Sequence, residues 1–312
     1  MINVVFIHKG KIPYYLKLAI RQVHSVMPMA SIHLVSNQYS YNKTVNLHDL
    51  NLYQESATQF ENYYFHRSSN SFDFELFCFQ RWFILRDFVG SNNIEGKILY
   101  LDSDVLLYNN ILSKIELEDK KMTVTKGYSP QYSLFENING IKHFTDFMMH
   151  YYRDNKCVEY LEKWWEERFV KTGKAGGVCD MTILGLYNVD GNCLDLFYLN
   201  KGFFNTSVNG ISNDAKLLKQ DPRYFNLNSF ENKDNITTLN KIELNALHFQ
   251  GGAKILLPIY YTGKNSFYVN LLGRVNLMIQ PFYKLYEYFK NFIKRIYFKL
   301  KYPKGLPSTR NL

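Results

Sequence analysis

Four cysteines in 312 residues are too few, and too irregularly spaced, to staple a fold. Cys78, Cys157, Cys179 and Cys193 form no Cys-x-x-Cys and no paired spacing, so they read as reduced thiols of a cytosolic compartment. No apolar segment approaches the length needed to span a bilayer. The first apolar run, Ile2 to Ile7, has no basic leader before it, so a secretory signal is not expected. Without one, the Asn-x-Ser/Thr sequons at Asn42, Asn205 and Asn235 carry no meaning. Acidic residues are also in short supply, with 28 against 37 basic ones. The resulting net charge of +9 points to an anionic partner: nucleotide, anionic lipid or nucleic acid.

What is present is an ordinary globular composition, 46% hydrophobic and 21% charged, enough for one large core. The 17% aromatic content suits sugar or membrane contacts, or a compositional bias of the genome. Ile2 to Ile7 reads as a strand ending at His8-Lys9-Gly10. Pro13 then opens a helix whose stripe runs Leu16, Ala19, Ile20, Val23, Met27, and Ser31 to Ser36 reads as a second strand. A strand-helix-strand start makes an α/β fold with a mostly parallel sheet the expectation. His8 and Lys9 would then face a ligand at the sheet edge, or be an ordinary loop pair.

The chain is organised around Lys97-Ile-Leu-Tyr-Leu-Asp-Ser-Asp-Val105. Ile98 to Leu101 is a continuous apolar run, the pattern of a strand buried on both faces. Asp102 and Asp104 follow at its carboxyl end, where open α/β sheets place their ligands. Two anions there need a cation or a cationic side chain. With about 6.6 Å between their Cα atoms in an extended chain, both touch one ion only if the chain turns. Two solvated loop acids are the bland alternative.

Residues 38 to 70 are polar and irregular, without a repeat. A helix is expected from Phe74, with Phe74, Phe77, Arg81, Ile84, Leu85 and Phe88 on one face. Arg81 on that face needs an anion, since it cannot shed its charge; a strand-end carboxylate and a bound phosphate or sugar both qualify. Met122 to Thr125 reads as a strand, and Gly140 to Tyr152 and Val158 to Phe169 as helices. Asp180 opens a further helix after Gly176-Gly177, as an N-cap, a catalytic acid or base, or both. Residues 200 to 240 read as a surface segment that orders over substrate. A strand then delivers His248, followed by Gly251, Gly252 and Lys254. Imidazole, exposed amides and an ammonium suit a metal-bound diphosphate.

Taken in order, Arg81, Asp102-Ser-Asp104, Asp180 and His248-Phe-Gln-Gly-Gly-Ala-Lys254 resemble the GT-A-fold glycosyltransferases. The closest resemblance is to their retaining, galactosyltransferase-like group, whose later motif runs His-Phe-x-Gly-x-x-Lys. It implies a divalent cation, Mn²⁺ or Mg²⁺, held by Asp102, Asp104 and His248. It also implies a nucleotide-diphosphate sugar, with UDP as the nucleotide, contacted by His8, Arg81, Asp102, Gly251, Gly252 and Lys254. Asp180 matches the donor-sugar carboxylate. Two departures stand out: Val178-Cys179-Asp180 replaces the family's Asp-x-Asp, and Ile255-Leu256 replaces its Pro-Trp. The implied activity is transfer of a sugar to a glycan or glycolipid acceptor in bacterial surface polysaccharide synthesis.

Residues 1–265 are read as the GT-A catalytic domain and 266–312 as a tail. In the tail Phe282, Leu285, Phe289, Phe292, Ile296 and Leu300 share a helical face, and Lys284, Lys290, Lys294, Arg295, Lys299 and Lys301 surround it. A basic amphipathic helix implies attachment to an anionic membrane, here the inner face of the cytoplasmic one, with no nucleic-acid partner. Packing on the domain would explain its apolar stripe but not its cations. Two other classes are open. A haloacid-dehalogenase-type phosphotransferase would use Asp102 as nucleophile, but Leu106 stands where it carries Thr or Val, and its motif lies near the start of the chain. A non-catalytic module binding anionic membrane or nucleic acid would leave Asp102, Asp104 and His248 without a role.

Overall fold

The computed structural model describes residues 2–38, 45–198, 202–204, 207–208, 230–233, 236–239, 241–263, 269, 275 and 292–293. The chain opens as β1 (Ile2–His8), α1 (Tyr14–Val26) and β2 (Ser31–Ser36), the strand-helix-strand unit read from the sequence. It continues through β3 (Asn46–Asp49), α2 (Glu55–Glu61), α3 (Phe72–Ser91), β4 (Lys97–Leu101) and β5 (Val105–Leu107). Then come β6 (Met122–Val124), β7 (Tyr132–Phe135), α4 (Ile138–Arg153), α5 (Asn155–Trp165), α6 (Asp180–Val189) and β8 (Cys193–Asp195). The last described strands are β9 (Phe203–Phe204), β10 (Phe230–Lys233), β11 (Ile236–Leu239) and β12 (Ile242–His248), followed by a 3₁₀ helix, Gly251–Tyr260.

The central sheet has the order β3-β2-β1-β4-β7. Its first four strands are parallel and β7 closes the edge antiparallel to β4. Both faces of its centre are covered, which is why Ile98 to Leu101 of β4 reads as an unbroken apolar run. Val4, Phe6, Leu34, Leu99 and Leu101 pack with α1 on one side. Val5, Ile7, Val35, Ile98 and Tyr100 pack with α2, α3, α4 and α6 on the other. A second sheet, β10-β11-β12-β5, is antiparallel, with β9 added parallel to β12. This α/β arrangement has a mostly parallel central sheet flanked by helices. Among the described residues no helix is long and apolar enough to cross a membrane.

Several expectations are corrected. Residues 38 to 70 are not irregular throughout, since they hold β3, a 3₁₀ turn at Leu50–Tyr53 and α2. Short amphipathic pieces interrupted by polar residues leave too few turns for a periodic signal. The stripe on α3 is only half right. Ile84, Leu85 and Phe88 are buried, but so are Phe79, Trp82 and Phe83, while Phe74 is 60% exposed. Layered between the sheet and α2 and α4, α3 buries residues around most of its girth, so no single stripe marks it. The helix expected to reach Phe169 stops at Trp165 and passes into a π turn, Glu166–Val170, that buries nothing. The Trp pair still serves two neighbours, with Trp164 against Phe169 and Trp165 under Arg67. The basic helix expected in 266–312, and most of the 200–240 segment, lie outside the described residues.

On the outer strands His33 Nδ1 meets His48 Nε2 at 3.1 Å, with Phe88 packed against both rings. Burial, aided by His48, lowers the His33 pKa to about 4. The folded state therefore resists a proton that the unfolded chain takes up near pH 6.5. Stability from this group is complete above pH 6.5 and is lost as pH falls toward 4. Thermal melts should show His33→Gln losing less stability than the native chain between pH 6.5 and 4.5. Parallel losses in the two proteins would exclude His33 as the source.

Candidate functional site

β4 ends at Leu101, the chain turns at Ser103-Asp104, and β5 begins at Val105. That turn brings Asp102 and Asp104 to one place, the condition the extended spacing alone does not meet. β12 then pairs antiparallel with β5 in the register His248↔Val105, which sets the histidine beside Asp104. The Phe249 amide donates to the Asp104 carbonyl at 2.9 Å and secures the end of that ladder.

Ligand atoms of Asp102, Asp104 and His248 all lie within 4.8 Å of one another. His248 Nε2 is 3.4 Å from Asp104 Oδ1 and 3.9 Å from Asp102 Oδ2. Two carboxylates and an imidazole suit a divalent cation that accepts oxygen and nitrogen ligands. Lys254 Nζ stands 3.2 Å from Asp104 Oδ2. Burial favours the neutral Asp104 carboxyl, but the facing His248 and Lys254 hold its pKa below the usual range. Burial likewise works against the Lys254 ammonium, and the attraction of Asp104 overrides it and raises its pKa.

The residue before Asp102 by two, Tyr100, shares its strand face. Its hydroxyl donates to Asp102 Oδ1 at 2.8 Å. Arg81, from the third turn of α3, donates through Nη1 to the same oxygen at 2.6 Å and through Nη2 to Asp180 Oδ2 at 2.6 Å. The carboxylate partner expected of Arg81 is there, and it takes two of them. Asp180 is not the N-cap. Cys179 holds that position in a capping box with Thr182, and Asp180 is the first helical residue. Its side chain turns inward, where Arg81 and the Trp82 indole (Nε1 to Oδ2, 3.0 Å) claim it. A charge-assisted pair outcompetes a cap hydrogen bond.

Gly251 and Gly252 open the 3₁₀ helix that follows β12, Gly251 with φ of 54°. The leading N–H groups of such a helix have no partner within it and attract anions. The Lys254 carbonyl accepts from Tyr14 Oη at 2.7 Å, and its ammonium lies over the Tyr15 ring at 5.0 Å, tying this turn to α1. His8 sits at the end of β1 with Nε2 3.1 Å from the Lys11 carbonyl. Burial lowers its pKa, and Lys254 is close enough to add to the effect. Lys9 stands 5.9 Å over the Phe77 ring.

The fold therefore gathers Arg81, Asp102, Asp104, Asp180, His248 and Lys254 into one connected cluster, with His8, Gly251 and Gly252 on the elements that border it. Tyr100 and Trp82 belong to it and were not foreseen. Tyr100 was legible from its spacing to Asp102, and a tryptophan beside Arg81 could have been asked where its buried N–H goes.

No family model and no curated protein sequence matches this chain. Among solved structures it is similar to a galactosyltransferase, LgtC, in complex with donor and acceptor sugar analogs. Identity there is 15%, over 88% of this chain and 95% of that one, with a TM-score of 0.44. Mouse xyloside xylosyltransferase 1 matches at 10% identity over 80% of this chain and 98% of that one, TM-score 0.49. The glycosyltransferase GlyE of Streptococcus pneumoniae matches at 17% over 93% of this chain and 64% of that one, TM-score 0.41.

Proposed function

We propose that this chain is a metal-dependent glycosyltransferase that takes a sugar from a nucleotide-diphosphate donor, UDP in the first instance, and passes it to a glycan or glycolipid hydroxyl. The observation that carries the reading is the convergence of Asp102, Asp104 and His248 within 4.8 Å, beside Lys254 and a helix N-terminus. Carboxylates gathered with an imidazole fit a divalent cation, and an ammonium next to free amides fits the diphosphate it accompanies.

A divalent cation held there would supply stabilisation of charge on the departing diphosphate. Lys254 and the amides of Gly251 and Gly252 share that work from the protein side. Arg81 holds Asp102 and Asp180 in place through one terminal nitrogen each. Asp180 borders the position of the donor sugar. If configuration is retained, the leaving phosphate takes the acceptor proton and no side-chain base is needed; if it is inverted, Asp180 is the base. Asp102 is a poor fit as a phosphotransferase nucleophile, because Arg81 and Tyr100 both hold its Oδ1.

The test is hydrolysis of UDP-glucose, UDP-galactose and p-nitrophenyl phosphate with and without Mn²⁺. Mn²⁺-dependent release of UDP supports the proposal, whereas turnover of p-nitrophenyl phosphate alone replaces it with a phosphotransferase. Lys254→Ala should weaken UDP binding by about 1.5–3 kcal/mol, the range of a charge-assisted hydrogen bond. Calorimetry that shows unchanged UDP affinity would remove Lys254 from the diphosphate site.

A further inference from the structure

Two aromatic rings lie under the site, Tyr100 from β4 and Trp82 from α3, with centroids 4.9 Å apart and planes inclined by 51°. Both are buried, Trp82 at 0% and Tyr100 at 2% exposure. Each gives its one polar hydrogen to a different acid: Tyr100 Oη to Asp102 Oδ1 at 2.8 Å, Trp82 Nε1 to Asp180 Oδ2 at 3.0 Å. Arg81 binds those same two oxygens, one through each terminal nitrogen, and its guanidinium carbon is 5.3 Å from both ring centroids.

This is not how an arginine between two carboxylates is expected to settle. Its planar fork matches a single carboxylate with two parallel bonds. Left to itself, Arg81 would gain by closing on one acid and releasing the other. Here the fork stays split. The aromatic donors supply the second bond that each anchored oxygen receives, and Arg81 Nη1 also donates to the Tyr100 hydroxyl at 3.0 Å. Two donors on one oxygen fix the torsion of the carboxylate. Trp82 cannot turn away, since Phe144 packs edge-on to it at 5.3 Å. Asp102 is thereby left with Oδ2 toward His248, at 3.9 Å. Asp180 Oδ1 makes no hydrogen bond among the described residues.

We propose that Tyr100 and Trp82 are positioning residues with separate duties. Tyr100 aims Asp102 Oδ2 into the cation site shared with Asp104 and His248, and Trp82 aims Asp180 Oδ1 at the donor sugar. The inference rests on the glycosyltransferase reading for the second duty and only on the cation site for the first.

Tyr100→Phe and Trp82→Phe each keep a ring and delete one donor. Mn²⁺ is titrated into each protein with saturating UDP, and kcat and KM are measured on whichever UDP-sugar the native protein hydrolyses fastest. Tyr100→Phe is expected to raise the Mn²⁺ dissociation constant about 10–100-fold, the usual effect of losing a residue that orients a metal ligand, with kcat largely restored at saturating Mn²⁺. Trp82→Phe is expected to lower kcat about 10–100-fold while Mn²⁺ and UDP affinities stay within about twofold. In an Asp180→Ala background Trp82→Phe should add little, because the carboxylate it orients is gone. A merely structural tryptophan would show its full effect there too. Equal weakening of Mn²⁺ by both variants, or an undiminished Trp82→Phe effect without Asp180, overturns the division of duties.

If the native protein turns over no UDP-sugar, the glycosyltransferase reading falls, and the device is still read without turnover. Tyr100 is judged on Mn²⁺ affinity. Trp82 is judged on the indole N–H resonance that Trp82→Phe deletes, which Asp180→Asn should shift. A Mn²⁺ affinity unmoved by Tyr100→Phe, or a resonance unmoved by Asp180→Asn, ends the corresponding half of the proposal.

Discussion

Asp104→Asn and His248→Ala are each expected to lower UDP-sugar turnover by about three orders of magnitude, the rate equivalent of about 4 kcal/mol of lost transition-state stabilisation. Asp104 faces His248 Nε2 at 3.4 Å through one oxygen and Lys254 Nζ at 3.2 Å through the other. The asparagine keeps an oxygen donor but removes the negative charge that binds the cation. It also leaves Lys254 without its counterion. His248→Ala removes the single nitrogen ligand and opens the space between the two acids. Both variants should still fold, because the lysine that Asp104→Asn frees is 32% exposed and open to water, and neither change touches the central sheet. Mn²⁺ titration and UDP release on the same samples would check both parts. Full activity in protein stripped of metal by EDTA would sink the prediction.

Arg81→Met should do the opposite, harming the fold as well as the site. The side chain is 13% exposed and binds two carboxylates that are 18% and 5% exposed. Removing one partner from a buried ion pair leaves charge stranded in a poorly solvated place, at a cost of about 3–5 kcal/mol. For a domain of this size that is a fall in melting temperature on the order of 10 °C. Arg81→Lys would recover only part, because a single ammonium cannot reach both acids as the fork does. Adding Asp180→Asn to Arg81→Met should restore some stability by removing one of the stranded charges, although not activity. A melting temperature that Arg81→Met leaves unchanged would mean that water, not protein, compensates these carboxylates.

Much of the frame was legible before any coordinates. The strands β1, β2 and β4 sit where mainly apolar segments lay, because a strand covered on both faces shows little polar alternation. The helix α1 followed from its apolar stripe, and α4 lies where a helix was read. Asp102, Asp104, His248 and Lys254 stood out because unpaired charge beside an apolar strand needs an explanation wherever it occurs. The resemblance to a known family lay in the order of those same residues. The less legible parts were local as well: α2 is too short to show a period, and α3 is buried around too much of its girth to show a stripe.

Sequence by itself therefore determined the class, the opening strand-helix-strand unit, β4 and most of the chemically loaded residues, since burial pattern and charge are properties of neighbours along the chain. Only the tertiary structure decided who meets whom. His248 joins Asp102 and Asp104 because β12 pairs with β5 in one register, and a slip of one residue would turn its side chain to the other face. Asp180 could equally have capped its helix. It became a partner of Arg81 and Trp82 because α6 packs its first turn against α3, where a buried guanidinium and an indole N–H both needed an acceptor. Hydrophobic pattern specifies which face of an element is hidden, but the partner it is hidden against is set by the packing of the whole chain.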